Sequence, residues 1–238
     1  MNIEIYKQNP FEDIHPELRE DIMRLVAASA SDLSMFTYDN SSILKDYLDE
    51  KEGIRVSILL ERIKRTDLHQ SYLFYAKCKD DGRFLGFAIC TPFINKASLK
   101  KLEGAAVFYI AVPKDYRGRG IFKKIINHLQ NEFSYLALTC VPSLVTMYEK
   151  TGFYVKGTFQ SQISLVYGEE PQNTAIIGID DEFIMQHPSV IKKYQEAVYK
   201  HGKYAVNHSA SILEADFSNS NKLANDYIKT HYPNSINQ

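Results

Sequence analysis

Residues 107–124 read VFYIAVPKDYRGRGIFKK. Val107 to Val112 form an apolar, β-branched and aromatic run short enough for a buried strand. Pro113 brings no amide hydrogen to a sheet ladder and marks the strand's end. A basic glycine loop, Arg117-Gly118-Arg119-Gly120, follows. Beyond it Ile121, Phe122, Ile125, Ile126 and Leu129 recur at helical spacing, with Lys123, Lys124 and Asn127 between them. The stretch predicts a strand, a glycine loop and a helix, in that order. The first N–H groups of a helix have no partner within it and carry its positive dipole end. Glycines allow a phosphate close to those groups, and Arg117, Arg119 and Lys123 add formal charge. An anion, foremost a pyrophosphate, is the expected ligand; read blandly, the loop is a solvated basic turn in front of a core helix. It is not a nucleotide P-loop, since no Gly-Lys-Ser/Thr closes it, nor the three-glycine dinucleotide fingerprint.

At these residues the chain resembles the GNAT superfamily of acyl-CoA N-acyltransferases. That family's signature is Arg or Gln, two residues, Gly, one residue, then Gly or Ala. Here it reads Arg117, Gly118-Arg119, Gly120, Ile121, Phe122, so the last small position is departed from. A second block, Met147-Tyr148-Glu149-Lys150-Thr151-Gly152-Phe153, matches the family's Y-E-K-x-G-F. The resemblance covers roughly residues 1–168. It implies acetyl-CoA as cosubstrate and no metal. Its pyrophosphate is expected on Arg117, Gly118, Arg119, Gly120, Ile121, Phe122 and Lys123. Its pantetheine arm is expected along the main chain of Ile110, Ala111 and Val112, where the strand splays from residues 135–140. Tyr148 matches the family's usual acid for the departing thiolate; from spacing alone it reads as a core tyrosine. Some relatives carry a glutamate four residues before Ile110, where this chain has Ala106, and many carry an asparagine where it has Val141. Tyr109 is expected on the opposite face from Ala106 unless a bulge re-aims it, and no base is assigned.

With 238 residues, 45% hydrophobic and 24% charged, the chain has room for one domain and an appendage. A net charge of −1 argues against a dedicated nucleic-acid binder. No signal pattern opens the sequence and no apolar run approaches ~18 residues, so a soluble, cytoplasmic protein without a membrane partner is expected. Cys78, Cys90 and Cys140 have no C-x-x-C spacing and read as buried thiols, although Cys140 at a strand end is a conceivable nucleophile.

Around the central unit the pattern predicts a first strand at 3–6 and a helix from Pro16 carrying Leu18, Ile22, Leu25 and Val26. A second helix is expected over Ile43, Leu44, Tyr47 and Leu48, capped by Asn40 or Ser41 and interrupted by Gly53. A third helical pattern runs through Val56, Leu59, Leu60 and Ile63. Strands 72–79 and 84–91 flank an Asp80-Asp81-Gly82-Arg83 turn, a polar loop spans 95–103, and strands lie near 135–140, 153–156 and 163–167. The layout is α/β, a GNAT-like mixed sheet flanked by helices. Glu169-Glu170-Pro171 marks a candidate boundary between an acyltransferase domain, 1–168, and a mostly helical appendage, 169–238. The appendage holds one more strand at 175–179, a helix at 188–201 and a short last helix around Leu223, Tyr227 and Ile228. About 70 residues rarely carry a core alone, so it is expected to pack on the first domain or, in a homodimer, on a second subunit.

The function expected is transfer of an acetyl or other short acyl group to a primary amine in a ternary complex. The alternative is a non-catalytic module of the same fold that binds CoA or acyl-CoA and regulates a protein partner. The acceptor, a small molecule or a protein, is expected to enter near 36–40, 95–101 and 160–164, where Asp32, Asp39 and Glu103 offer negative charge.

Overall fold

The computed structural model describes residues 1–35 and 38–233. The elements run β1 (Ile3–Lys7), α1 (Pro16–Leu33), α2 (Lys45–Glu61), β2 (Tyr72–Cys78), β3 (Phe84–Asn95), β4 (Lys101–Ala111), α3 (Ile121–Glu132), β5 (Tyr135–Cys140), α4 (Val145–Glu149), β6 (Tyr154–Phe159), β7 (Gln162–Tyr167), β8 (Thr174–Ile176), α5 (Asp181–Met185), α6 (Pro188–His201) and α7 (Lys203–His231). The strands form one sheet in the order β1-β2-β3-β4-β5-β7-β6, with β8 paired to the far end of β3. Every pairing is antiparallel except β4 with β5. A parallel pair needs a crossover, and α3 supplies it.

Alternation along the strands builds two cores. On one face Phe87, Ile89, Tyr109 and Ala111 meet Leu18, Ile22 and Val26 of α1 and Val56, Leu59 and Leu60 of α2. On the other, Ala88, Cys90, Leu136 and Leu138 meet Ile121, Ile125, Ile126 and Leu129 of α3. The helical spacing in the central unit is thus the inner face of α3.

Four elements differ from the sequence reading. Gly53 does not interrupt a helix: α2 runs through it as one piece, and a Cβ there would lie 3.8 Å from the Met23 side chain of α1. Glycine in a helix costs about 1 kcal/mol without breaking it when tertiary packing holds the turn. Neither Asn40 nor Ser41 caps α2. Asp39 instead accepts from the Ser41 amide at 2.7 Å, Ser42 Oγ accepts from the Leu44 amide at 3.3 Å, and the helix starts without a side-chain cap. The loop expected over 95–103 shrinks to a turn, because β3 passes through Pro92 by a register irregularity and β4 already begins at Lys101. The last helix is long, 29 residues, separated from α6 by Gly202 at φ 81°.

The segment after Gly168 lies against both sides of the sheet's helical layers. Arg62 of the turn after α2 donates to the carbonyls of Ile177 and Gly178. Val206 of α7 packs with Leu44 and Leu48. At the other end of the same helix Ala224 and Ile228 join the core that contains Tyr148 and Phe153. No helix among the described residues is long and apolar enough to cross a membrane.

Candidate active site

The central strand is irregular where the sequence placed the thioester. Ile89 pairs with Tyr109 and its neighbour Cys90 pairs with Val107, so Phe108 is an extra residue on β4. Such a bulge turns every following side chain over. Val107 packs on the α3 face, yet Tyr109 joins the α1/α2 face. This is the re-aiming left open by the sequence.

Beside the bulge, β4 and β5 separate. Their parallel pairing is confined to Gly104, Ala105 and Ala106 with Tyr135, Leu136 and Ala137. Past Ala106 the β5-facing edge of β4 is free of ladder bonds to β5, whereas β5 remains zipped to β7 through Cys140. The main chain of Ile110 and Ala111 therefore stands on an opening edge. At Val112 the carbonyl already accepts one bond, from Arg117 Nε at 3.1 Å. The close of β4 is also sealed by Gly86 at φ 148°, where a Cβ would stand 2.5 Å from the Ala111 oxygen, so only glycine fits.

The glycine loop has the conformation its residues require. Gly118 and Gly120 adopt φ of 76° and 79°, and a Cβ at either would meet open space. Gly120 is the N-cap of α3 and no side chain caps it, which leaves the first-turn N–H groups of Ile121, Phe122 and Lys123 for an outside acceptor. Arg119 and Lys123 are exposed beside them. Arg117 is turned partly away, with Nη2 3.5 Å from Asp32 Oδ2 at the end of α1. A cation that the sequence reading missed joins the group. Arg83, from the β2–β3 turn, donates to Tyr116 Oη at 3.3 Å, and its guanidinium and that of Arg119 lie 5.9 and 5.5 Å from the Tyr116 ring.

Tyr148 lies in α4, buried, with Phe122 packed edge-on at 5.2 Å between ring centroids and Phe153 at 5.7 Å. The aromatic residue at the departed signature position thus fills the space between the first turn of α3 and the tyrosine. Burial, with the neighbouring Cys140 thiol, pushes the Tyr148 hydroxyl well above the ordinary tyrosine value, so it stays protonated and has a proton to donate. No hydrogen bond to a described residue engages it. Cys140 itself is pushed up to about 12 by burial, which keeps it a thiol rather than a nucleophile.

A second polar group, also missed, faces the bulge from α2. Glu52 accepts from Tyr109 Oη at 2.6 Å, with Arg55 Nε at 3.7 Å, and Arg55 continues to Asp181 of α5 at 2.5 Å. Its signal was present: Leu48, Glu52, Val56, Leu59 and Leu60 follow helical spacing, with one carboxylate inside an apolar stripe. The expected acceptor entry is divided by the fold. Phe36 and Thr37 lie outside the described residues. Ser161, in the β6–β7 turn, donates to the Met35 carbonyl at 3.0 Å. The 95–101 turn sits at the start of β4, the end still paired to β5 and remote from the opening.

Residues 38–153 match the Acetyltransferase (GNAT) family, and they form a GNAT-family domain. A PaiA N-acetyltransferase of Thermoplasma acidophilum, solved in complex with coenzyme A, superposes with a TM-score of 0.51 at 14% identity, over 71% of this chain and 100% of that one. The YhbS N-acetyltransferase of Escherichia coli, also in complex with CoA, gives 0.48 at 15% identity, over 76% and 92%. No curated protein matches the sequence. At 14% identity the likeness to the Thermoplasma protein speaks for the fold alone, a GNAT-like mixed sheet flanked by helices.

Proposed function

We propose that this protein is an acyl-CoA-dependent N-acyltransferase that moves an acetyl or other short acyl group to a primary amine by direct attack. The observation that carries the reading is the divergence of β4 from β5 directly beside an uncapped helix N-terminus. An elongated thioester with an anionic end fits that pair of features. The diphosphate takes the N–H groups of Ile121, Phe122 and Lys123, aided by Arg119 and the neighbouring Arg83, and the arm lies along Ile110 and Ala111. The coenzyme A held by the Thermoplasma protein of the same fold supports this assignment.

The chemistry follows from the edge and the buried tyrosine. The neutral amine attacks the thioester carbonyl, and a backbone N–H on the open edge of β4 receives the oxyanion. The C–S bond breaks as the thiolate is met by the Tyr148 hydroxyl, which lies beside Cys140 at the end of β5. An alkyl ammonium has a pKa near 10.4, so only about one molecule in ~10³ is free amine at pH 7; a proton acceptor on the acceptor side is useful. The second reading, a module that binds acyl-CoA without turnover, is favoured by Phe122 packed against Tyr148 and by Val141 at the asparagine position. CoA release, followed with a thiol reagent over a panel of amines, separates the two. Acetyl-CoA binding without thiol release on any amine would replace the first reading by the second.

A further inference from the structure

Resting on the acyl-transfer reading, we propose that Tyr109 and Glu52 are the proton relay for the amine: Tyr109 contacts the acceptor nitrogen and Glu52 takes the proton through it. The glutamate that some GNAT relatives place on the central strand is absent here, since Ala106 holds the position, so the acceptor side lacks that base. The bulge supplies the remedy. It rotates Tyr109 onto the α1/α2 face one residue before Ile110, beside the proposed thioester, and there Tyr109 Oη meets Glu52 Oε2 at 2.6 Å. Both residues are almost wholly buried, at 4% and 6% exposure, so the bond is shielded from bulk water.

The charges facing Glu52 come from every element around it. Arg55 and Lys51 lie on its own helix, Ser34 hydrogen-bonds it from the end of α1, and Tyr38 and Asp181 complete the surroundings. Burial lifts the carboxyl above the ordinary glutamate value, with Arg55 first and then Tyr109 and Ser34 drawing it partly back. Lys51 is lowered by the same burial and Arg55 is held charged between Glu52 and Asp181. A carboxylate of raised basicity, hydrogen-bonded to a tyrosine that itself stays protonated, suits a relay. The ammonium gives its proton to Tyr109 Oη while that hydroxyl passes its own to Glu52. Tyrosine is unchanged, Glu52 ends neutral, and the amine is free to attack. The N–C bond then forms and the C–S bond breaks. The remaining N–H proton balances the thiolate by way of solvent and Tyr148, and Glu52 returns its proton to water.

The test compares wild type, Glu52→Gln and Tyr109→Phe. Each is assayed for CoA release from acetyl-CoA with a lysine peptide, a peptide with a free N-terminus and spermidine, between pH 5.5 and 9, with acetyl-CoA affinity measured by calorimetry. Expected is a ~10²–10⁴-fold loss of kcat in Glu52→Gln, unchanged acetyl-CoA affinity, and replacement of the wild-type acid limb by a steady rise with pH as free amine becomes available. Tyr109→Phe should lose turnover and move the remaining acid limb upward, because Glu52 loses a donor. A structural pair would alter melting temperature and leave the limb in place. If Glu52→Gln does not fold, Tyr109→Phe and Glu52→Asp carry the same readout. Turnover within a few-fold of wild type with an unmoved limb overturns the relay and leaves acyl transfer standing. Failure of the wild type on every amine, with acetyl-CoA bound, overturns both.

Discussion

Replacing Tyr148 by phenylalanine separates its chemistry from its packing, because only the first should respond. The ring holds its place through edge contacts with Phe122 and Phe153 at 5.2 and 5.7 Å, and both survive the change. The hydroxyl makes no hydrogen bond to a described residue and is not among the fully buried unpartnered polar atoms. Removing a hydroxyl that has no partner within the protein gives up no hydrogen bond of the fold. Tyr148→Phe should therefore melt no lower than wild type. Turnover should fall ~10²–10⁴-fold if the hydroxyl protonates the departing sulfur, a barrier increase of about 3–5 kcal/mol. Acetyl-CoA affinity should barely move, since the bond to sulfur strengthens only as charge develops there. Thiol release with a verified acceptor, calorimetry with acetyl-CoA and a thermal melt make the comparison. Intact turnover refutes the acid role; loss of turnover together with a melting temperature several degrees lower refutes the division between ring and hydroxyl.

Arg119→Glu should weaken acetyl-CoA by about 2–3 kcal/mol, because it replaces a cation exposed beside the first turn of α3 by a carboxylate; an unchanged calorimetric Kd would count against the loop. Ending the chain after Gly168 should expose Leu44 and Leu48 on one side and the core around Val155 and Tyr148 on the other. Loss of solubility is expected, and a soluble truncation with the wild-type melting temperature would show those contacts to be idle. Glu52 titrates above its unfolded value, so its favourable share of stability is full below pH 4.5 or so and is lost as pH rises through the folded value. Glu52→Gln cannot ionise, and its melting temperature relative to wild type should rise as pH increases above about 4.5; a difference independent of pH would place the carboxyl at its ordinary value.

What the sequence disclosed was encoded locally. The end of β4, the loop at Arg117-Gly118-Arg119-Gly120 and the inner face of α3 depend on proline, glycine and a 3.6-residue period, all visible in one stretch. What it concealed depends on partners distant in the chain. The bulge at Phe108 exists only relative to β3, through Ile89 and Cys90. Arg83 reaches Tyr116 because the β2–β3 turn and the end of β4 share one end of the sheet, 33 positions apart in sequence. Glu52 was hidden by a local inference, that Gly53 ends a helix. Once α2 is continuous, the carboxylate falls into register with Leu48 and Val56. The length of α7 escaped because its middle, rich in serine and asparagine, lacks a strong apolar stripe, while its two ends are fixed by tertiary contacts at Val206 and Ile228.

Those two ends bear on the chemistry in a specific way. The segment after Gly168 touches both halves of the proposed reaction. Asp181 of α5 holds Arg55, the cation beside Glu52. Tyr232, just beyond α7, donates to Glu149 Oε1 at 2.6 Å, fastening the short helix that carries Tyr148. A five-residue helix has little stability of its own, and α4 relies on such ties, including Thr151 Oγ1 to the Tyr148 carbonyl at 2.7 Å and Gln130 Nε2 to the Thr151 carbonyl at 2.6 Å. An appendage concerned only with solubility would need neither contact. Breaking them singly, by Asp181→Asn and Tyr232→Phe, leaves the apolar packing of α6 and α7 in place and changes only how the acceptor side and the thiolate side are held. The proton relay predicts that Asp181→Asn shifts the acid limb of the pH profile, since Arg55 is then shared with Glu52 alone and draws its carboxyl down. Tyr232→Phe should instead lower kcat without moving that limb. The same limb position in both variants would mean that α5 does not reach the chemistry.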